Sequence, residues 1–343
     1  MQLGLLKYTP NSETNIFNIG DYIQSLSVRQ FIEQKDFILI DRERLDEYKG
    51  EGIKLVLNGW FMHNPKHWPP SSQITPLFVA FHLNSSVDKF LLSSESLNYF
   101  KKYEPIGCRD FRTKNILEEK GVQAYFSGCM TLTLGAKKKY GQGKRVNKVY
   151  FSDPFFRVVK SPSFYLYNSF KIFSSAKLIN KLSVALYKKS DLKSFIKACS
   201  FYLSYSNLFS DDLLEKAEFI KQEIPADAFH TEEEKFAYAE NLLNMYADAQ
   251  LVVTSRIHCA LPCLALETPV VYVEKSDSNL MDTCRLEGLR ELFNIAVFKK
   301  NKLFSDFKFN EPKITLKTKI INKTLYLKYR SDLIEKCTSF FEK

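Results

Sequence analysis

Residues 251–273 read LVVTSRIHCALPCLALETPVVYV, and their pattern indicates the fold class of the chain. The β-branched run at 251–254 predicts a buried strand, and the residues that follow, up to Glu267, predict a helix. Pro269 then opens a second apolar strand at 270–273. A strand, a helix and a second strand form a βαβ unit. The stretch therefore predicts a parallel sheet, in which ligands bind at the carboxyl ends of the strands.

Three polar residues, Ser255, Arg256 and His258, lie at the junction between that strand and that helix. Ser255 is a favourable N-cap, which predicts that Arg256 and His258 occupy the first helical turn, where backbone N–H groups attract anions. Arg256 adds a permanently charged fork, and His258 can give or take a proton near neutral pH. Pro262 has no N–H for the carbonyl of His258, so we expect the helix to bend there. The junction predicts a small-anion site with proton transfer, and the alternative is a solvated arginine beside a structural histidine.

The same alternation of strands and helices runs through the preceding part of the chain. Apolar runs predict strands at 4–8, 37–40, 53–57, 76–81, 105–108, 122–126 and 149–152. Helical patterns at 21–34 and 113–120 lie between them. This alternation indicates an α/β protein with a mostly parallel sheet.

The domain organisation follows from a change in composition. Residues 136–148 are rich in Lys, Gly and Arg and predict a linker. We expect an N-terminal domain at 1–135 and a C-terminal domain at 146–310, followed by an amphipathic helix within 323–343. Residues 296–321 show no regular pattern and predict irregular structure.

A helical insertion is expected at about 155–215 in the C-terminal domain, because the segment from Phe155 to Tyr205 mixes aromatic residues with many lysines. This composition permits two interpretations. The lysines can form the solvated face of an ordinary helical subdomain. Alternatively, the aromatic and basic surface can make peripheral contact with a membrane or a lipid-linked substrate.

The charge balance favours anionic partners. The 343 residues carry 49 Lys and Arg against 39 Asp and Glu, a formal net charge of +10, and 45% are hydrophobic, as in a folded protein. The lack of zinc-finger spacing, RNP-like motifs and basic blocks argues against nucleic acid. Seven cysteines without metal-site spacing, no secretory signal and no long apolar run predict a cytoplasmic protein. Contact with the inner face of the membrane is a further expectation.

Several common enzyme signatures are missing from the sequence. The chain lacks a P-loop, a GxGxxG fingerprint, HExxH, GxSxG and a DxD pair. These absences disfavour P-loop nucleotidases, dinucleotide enzymes, two classes of hydrolase and metal-dependent sugar-nucleotide transferases. We therefore expect chemistry that needs neither a metal nor a cofactor.

Four motifs, taken in order, resemble the polysaccharide pyruvyl transferase family. They are Asn18-Ile19-Gly20-Asp21, Gly107-Cys108-Arg109-Asp110 with Thr113, the turn at 127–132, and the segment at 251–273 with Pro269 eleven residues after His258. The resemblance covers roughly residues 4–275. Each motif is weak alone, and it is their order and spacing together that give the resemblance its specificity.

The resemblance implies two Rossmann-like domains that face each other across a cleft, similar to the GT-B fold of glycosyltransferases. It also implies phosphoenolpyruvate as the donor. The acceptor would be a pair of sugar hydroxyls on a polysaccharide, a glycan precursor or a lipid-linked sugar, bound on the side of the N-terminal domain. The products would be a pyruvate ketal and free phosphate.

The resemblance also assigns roles to particular residues. Arg256 and Arg109 would hold the donor's carboxylate and phosphate, and His258 would act as the acid and base. Some family members have a lysine twenty residues after the histidine. Ser278 holds that position here, and Lys275 is the nearest lysine, which makes it a substrate-binding candidate.

The remaining candidates lie at helix starts. Asn18 and Gly20 are expected to bind substrate, as is Ser255. Asp21 is a candidate catalytic residue and Asp110 a candidate substrate-binding residue. Each would orient a hydroxyl or pair with an arginine, and a helix cap is the alternative for both.

Two other functions remain open on the sequence. One is a GT-B-type glycosyltransferase that uses a nucleotide sugar. The other is a catalytically inactive module that binds a glycan or a membrane surface. The presence of Arg109, Arg256 and His258 together speaks against the inactive module.

Overall fold

Two six-stranded sheets carry the fold. The structure is a computed structural model that describes residues 1–10, 15–32, 35–275 and 286–342. In chain order its strands are β1 (Gln2–Lys7), β2 (Ile16–Asn18), β3 (Phe37–Asp41), β4 (Ile53–Phe61), β5 (Ile74–Leu83), β6 (Ile106–Cys108), β7 (Ala124–Phe126), β8 (Val146–Ser152), β9 (Ala217–Ile220), β10 (Glu223–Pro225), β11 (Ala249–Thr254), β12 (Val270–Lys275), β13 (Asn294–Lys299) and β14 (Lys302–Ser305).

Helices connect and cover these strands. They are α1 (Ile19–Arg29), α2 (Asp88–Leu91), α3 (Ser94–Lys102), α4 (Phe111–Glu119), α5 (Pro162–Tyr167), α6 (Ser169–Ser174), α7 (Ala176–Tyr187), α8 (Leu192–Tyr205), α9 (Asp211–Lys216), α10 (Glu232–Asp248), α11 (Ile257–Ala265) and α12 (Tyr326–Glu342). Within the described part of the chain, none of the helices has the length and apolar character needed to cross a membrane.

Both large sheets are built from parallel strands. The first has the order β3-β1-β4-β5-β6-β7, and all its neighbouring strands are parallel. The second has the order β14-β13-β12-β11-β8-β9 and is parallel except for the β13–β14 pair. Strands β2 and β10 form a small antiparallel pair that links the two halves of the chain. The predicted α/β class with parallel sheets is confirmed.

The prediction of irregular structure at 296–321 is wrong for its first part. Strands β13 and β14 form a hairpin there, and the two residues between them, Lys300 and Asn301, have φ values of 49° and 57°. Two consecutive residues with positive φ are typical of a type I′ hairpin turn, which usually contains glycine. The turn was not predicted because Lys-Asn lacks the usual glycine. The strands were not predicted because the exposed lysines at the end of the hairpin interrupt the alternation of apolar and polar residues.

Alternate residues of the second sheet enter two different hydrophobic cores. Val252 of β11 lies in the core that also contains residues of the first sheet, whereas Val253 faces a second core. Phe151 of β8 belongs to the second core, where its ring lies 6.0 Å from Phe201 and 5.8 Å from Tyr205, both on α8. Helices therefore cover the strands on both faces, which explains their continuous apolar runs.

Candidate active site

His258 lies in the first turn of α11, at the carboxyl end of β11, as predicted. The N-cap is Arg256, with φ −103° and ψ 126°, so the prediction that Ser255 caps this helix is wrong by one residue. The reason is a competition between neighbouring hydroxyls. Thr254 Oγ1 accepts from the Arg256 N–H at 3.0 Å, while Ser255 Oγ accepts from the Phe155 N–H at 2.8 Å. Arg256 consequently lies just before the first turn rather than within it.

The helix bends at His258, as the proline predicts. Pro262 lies inside α11, and His258 has φ −82° and ψ 18°, outside the helical region. The His258 carbonyl, which Pro262 deprives of its usual donor, accepts instead from Gln222 Nε2 at 3.1 Å. The backbone carbonyl of Gln222 accepts from the Ile19 N–H at 2.9 Å. Gln222 therefore connects the first turn of α11 to the start of α1.

The start of α1 packs directly against His258. Asn18 is the N-cap of α1, and its Oδ1 accepts from the Gly20 N–H at 3.1 Å. A Cβ atom at Gly20 would lie 2.9 Å from His258 Cβ and 3.1 Å from His258 Nδ1. Glycine is the residue that allows this approach without a shift. The sequence placed this helix start at Asp21, and the cap at Asn18 moves it two residues earlier.

Two carboxylates hold the side chain of Arg256, which is 31% exposed. Its Nε lies 3.1 Å from Asp153 Oδ2, and its Nη2 lies 2.6 Å from Glu223 Oε1. Burial lowers the pKa of the guanidinium, but the two carboxylates outweigh burial, and the pKa is raised. A guanidinium has five N–H groups, so these pairs fix its plane and leave donors for an anionic ligand.

A cavity of about 520 Å³ opens beside these residues. Five of the predicted site residues line it: Asn18, Ser255, Arg256, His258 and Lys275. Lys275 ends β12, the neighbour of β11, and its Nζ lies 4.7 Å from the ring centre of Phe155. The volume falls within the range of about 300–1,000 Å³ that is typical of small-molecule sites. Ser278, which holds the position of the lysine in some family members, lies outside the described residues.

A second polar cluster lies at the carboxyl ends of strands β5 and β6 of the first sheet. His82, Arg109 and Asp110 are all at most 1% exposed. His82 Nδ1 lies 2.5 Å from Asp110 Oδ2, and Asp110 Oδ1 accepts from the Thr113 N–H at 2.8 Å as the cap of α4. Burial raises the pKa of Asp110, but the hydrogen bond and charge of His82, together with the charge of Arg109, outweigh burial and lower it. Arg109 and Asp110 are not among the described residues that line the cavity.

Asp21 belongs to a third polar cluster, centred on Arg42. Asp21 Oδ2 lies 3.9 Å from Arg42 Nη1, and its Oδ1 accepts from Gln24 Nε2 at 3.0 Å. Arg42 is buried, pairs with Glu43 Oε1 at 2.8 Å, and lies 5.2 Å from the ring centre of Trp60. The Asp21 side chain is 19% exposed, and among the described residues it is not part of the cavity lining.

The sequence interpretation missed the residues that support the candidates. Asp153 follows β8, Arg42 follows β3, and His82 lies in the last two residues of β5. Gln222 follows β9, a strand that the sequence did not predict. The rule that drew attention to Arg256, a polar residue after a parallel strand, applies to Asp153, Arg42 and Gln222, and His82 lies at the carboxyl end of its own strand.

The fold and the site define an α/β protein with parallel sheets and a cavity lined by cationic side chains and a histidine at the strand ends. A family model described as polysaccharide pyruvyl transferase matches residues 18–277. The chain therefore belongs to the polysaccharide pyruvyl transferase family and is a transferase. This match confirms the resemblance carried by the four motifs.

Two solved structures are similar to the chain at low identity. S. aureus MnaA in complex with UDP is 12% identical, with a TM-score of 0.40, and the match covers 88% of this chain and 85% of that one. The E. coli heptosyltransferase WaaC with ADP is 11% identical, with a TM-score of 0.26, and the match covers 99% of this chain and 100% of that one. No curated protein matches the chain.

Proposed function

We propose that the protein transfers the enolpyruvyl group of phosphoenolpyruvate to two hydroxyls of a sugar in a polysaccharide or glycan precursor. The products are a pyruvate ketal and inorganic phosphate. The observation that carries the proposal is the shared cavity of Arg256, His258 and Lys275 in a chain of this family. Cationic groups beside a histidine suit a donor that carries both a carboxylate and a phosphate.

The proposal includes two Rossmann-like domains, at 1–135 and 146–310, that face each other across a cleft. It is supported by the two parallel sheets, which use strands from these two ranges. It is also supported by the lining of the cavity, in which Asn18 from the first range meets Arg256 and His258 from the second. The acceptor sugar would enter from the side of the first range.

The donor's anionic groups are assigned first to Arg256 and Lys275, because both side chains line the cavity. Ser255 and the cap residue Asn18 offer further polar contacts there. Arg109 is fully buried, so direct contact with the donor requires a movement of the residues that cover it. Asp21, whose carboxylate is partly exposed, is assigned to a sugar hydroxyl.

His258 is assigned the proton transfers. In its charged form it gives a proton to the methylene carbon of the donor, which becomes a methyl group and leaves positive charge at C2. A sugar hydroxyl then bonds to C2 and loses its proton to the neutral imidazole. Cleavage of the bond between C2 and the phosphate oxygen releases phosphate with the bonding electron pair. The second hydroxyl then bonds to C2 and gives its proton to the released phosphate, which closes the ketal. General acid catalysis of this kind contributes about 10²–10⁴-fold.

The test is to incubate the protein with phosphoenolpyruvate and a panel of glycan acceptors, and to measure phosphate release and the mass gain of the acceptor. His258→Ala should lower turnover by about 10²–10⁴-fold, whereas His230→Ala, at an exposed histidine that is not among the described cavity residues, should not. Activity in His258→Ala close to that of the parent protein would show that the acid is assigned wrongly. Thermal stabilisation by nucleotide sugars but not by phosphoenolpyruvate would favour a glycosyltransferase instead.

A further inference from the structure

Helices α5 and α6 present an apolar surface to solvent. Leu166, Tyr167, Phe170 and Phe173 are 77%, 88%, 84% and 84% exposed, and we call these four residues the outer surface. Soluble proteins expose single apolar residues often, but four large ones within eight residues mark an interaction site.

The inner side of the same two helices is already packed against the protein. Phe164 and Tyr165 of α5 and Ile172 of α6 contact the second core. The hydroxyl of Tyr165 also donates to the Val159 carbonyl at 2.6 Å, which anchors α5. These helices therefore carry apolar residues on both sides. A helix that is apolar on all sides is normally buried on all sides. We therefore expect the outer surface to bind an apolar partner.

Basic residues dominate the segment that contains the outer surface. Residues 154–210 include nine Lys and Arg and one acidic residue, Asp191. Lys160 and Lys177, which flank the two helices in sequence, are exposed, as are Lys188 and Lys189 beyond α7. A second copy of the chain, bound through the same surface, would bring these like charges together. A partner with an apolar interior and an anionic surface matches both features.

We propose that the outer surface docks onto an anionic phospholipid bilayer. The four apolar side chains enter the boundary between the headgroups and the acyl chains, while the surrounding lysines contact lipid phosphates. Phe156, which lines the cavity, leads through residues 157–161 directly into α5. Docking therefore brings the cavity close to the membrane. If the proposed function holds, a cavity close to the membrane suits an acceptor sugar carried on a lipid. This statement about the acceptor rests on the proposed function, whereas the docking of the outer surface does not.

The test is sedimentation of the full-length protein with vesicles of phosphatidylcholine alone, or of equal parts phosphatidylcholine and phosphatidylglycerol. The protein should bind the anionic vesicles, and high salt should weaken this binding. The double substitution Phe170→Ser with Phe173→Ser should reduce the affinity by roughly tenfold or more, because two aromatic side chains no longer leave water. Lys160→Glu with Lys177→Glu should reduce binding to the anionic vesicles.

The matched control is Ile321→Ser, which removes an apolar side chain that is 82% exposed but lies outside the outer surface. It should leave vesicle binding unchanged, and all variants should unfold at the temperature of the parent protein. Failure of the parent protein to bind anionic vesicles, or equal binding by the double phenylalanine variant, would overturn the proposal. Light scattering that shows a dimer of the parent protein and a monomer of the double phenylalanine variant would also overturn the proposal. The partner of the outer surface would then be a second copy of the chain. Turnover of phosphoenolpyruvate on a soluble acceptor is independent of vesicles, so it tests the proposed function separately.

Discussion

Two polar clusters in this molecule contain the same residue types but differ in their access to solvent. Arg256 is 31% exposed and its partner Asp153 is 18% exposed, beside a cavity. Arg109 and Asp110 follow a strand of the other sheet in the same way, yet both are fully buried. An arginine near a carboxylate at a strand end is therefore not sufficient to define a ligand site. Under the proposed function, the exposed cluster binds the donor, and we expect the buried cluster to hold its strand ends and helix in place.

The largest effect on stability should come from Asp110→Ala in the buried cluster. The change leaves His82 and Arg109 buried without this carboxylate and removes the cap of α4. Loss of one partner of a buried charged pair typically costs about 3–5 kcal/mol of the free energy of unfolding. Urea unfolding followed by circular dichroism measures this cost. Asp88→Ala, which removes a partly exposed partner of Arg112, should cost less than Asp110→Ala, about 1 kcal/mol.

The pH dependence of stability gives a second measure of the same pair. The pKa of Asp110 is lowered below its ordinary value of 3.8 in the folded protein. The unfolded chain therefore binds the proton more readily than the folded protein. The stability contributed by Asp110 is complete above pH 3.8, the ordinary pKa, and is lost as the pH falls through the lower pKa of the folded protein. In Asp110→Asn, the free energy of unfolding should fall less steeply with acid than in the parent protein. Equal slopes in the two proteins would contradict the assigned role of Asp110.

A smaller loss of stability, but a large loss of activity, should follow Gly20→Ala at the boundary of the exposed cluster. The new Cβ would lie 2.9 Å from His258 Cβ, so His258 or the start of α1 must shift. Overpacking of this kind costs about 1–3 kcal/mol, and a displacement of about 1 Å at a reacting group can cost about 10²-fold in rate. Gly52→Ala is the matched control, because its nearest contact would be a relaxed 3.8 Å. An active Gly20→Ala protein would show that His258 does not need its present position.

The sequence predicted the local features of the exposed cluster well. The run at 251–254 forms a strand, and the bend at His258 follows from Pro262 four residues later. Both features depend on neighbours in the chain, which a pattern can represent. The cap at Arg256 in place of Ser255 was missed, because it depends on whether the backbone of a distant segment binds the serine hydroxyl.

The contacts that support the candidate site could not be predicted from the sequence, because they join residues that lie far apart in the chain. The pair Arg256–Asp153 spans 103 positions, and the hydrogen bond from Gln222 to His258 spans 36. Burial is also a property of the assembled fold. The sequence motifs therefore predicted the same donor-binding role for Arg109 and Arg256, although Arg109 is buried in the fold and Arg256 is partly exposed.

The link between Gln222 and the bent helix can be tested by a double-mutant cycle. Gln222→Leu removes the donor to the His258 carbonyl, and a buried acceptor that loses its partner costs about 1–3 kcal/mol. Pro262→Ala supplies an N–H that can bond the same carbonyl within the helix. In the Pro262→Ala background, Gln222→Leu should therefore cost less, by about 1 kcal/mol. Additive losses in urea unfolding would show that the carbonyl does not depend on Gln222.

The smallest change in stability should come from Asp153→Asn, in the cluster beside the cavity. The pair with Arg256 is partly exposed, so its loss should change the free energy of unfolding by about 1 kcal/mol or less. Asparagine also tolerates the positive φ of 41° at this position. An amide oxygen accepts more weakly than a carboxylate, so the guanidinium of Arg256 becomes less firmly oriented. Under the proposed function, the KM for phosphoenolpyruvate should rise by roughly three- to tenfold. A large loss of stability with an unchanged KM would instead place Arg256 and Asp153 in the same structural role as the buried cluster.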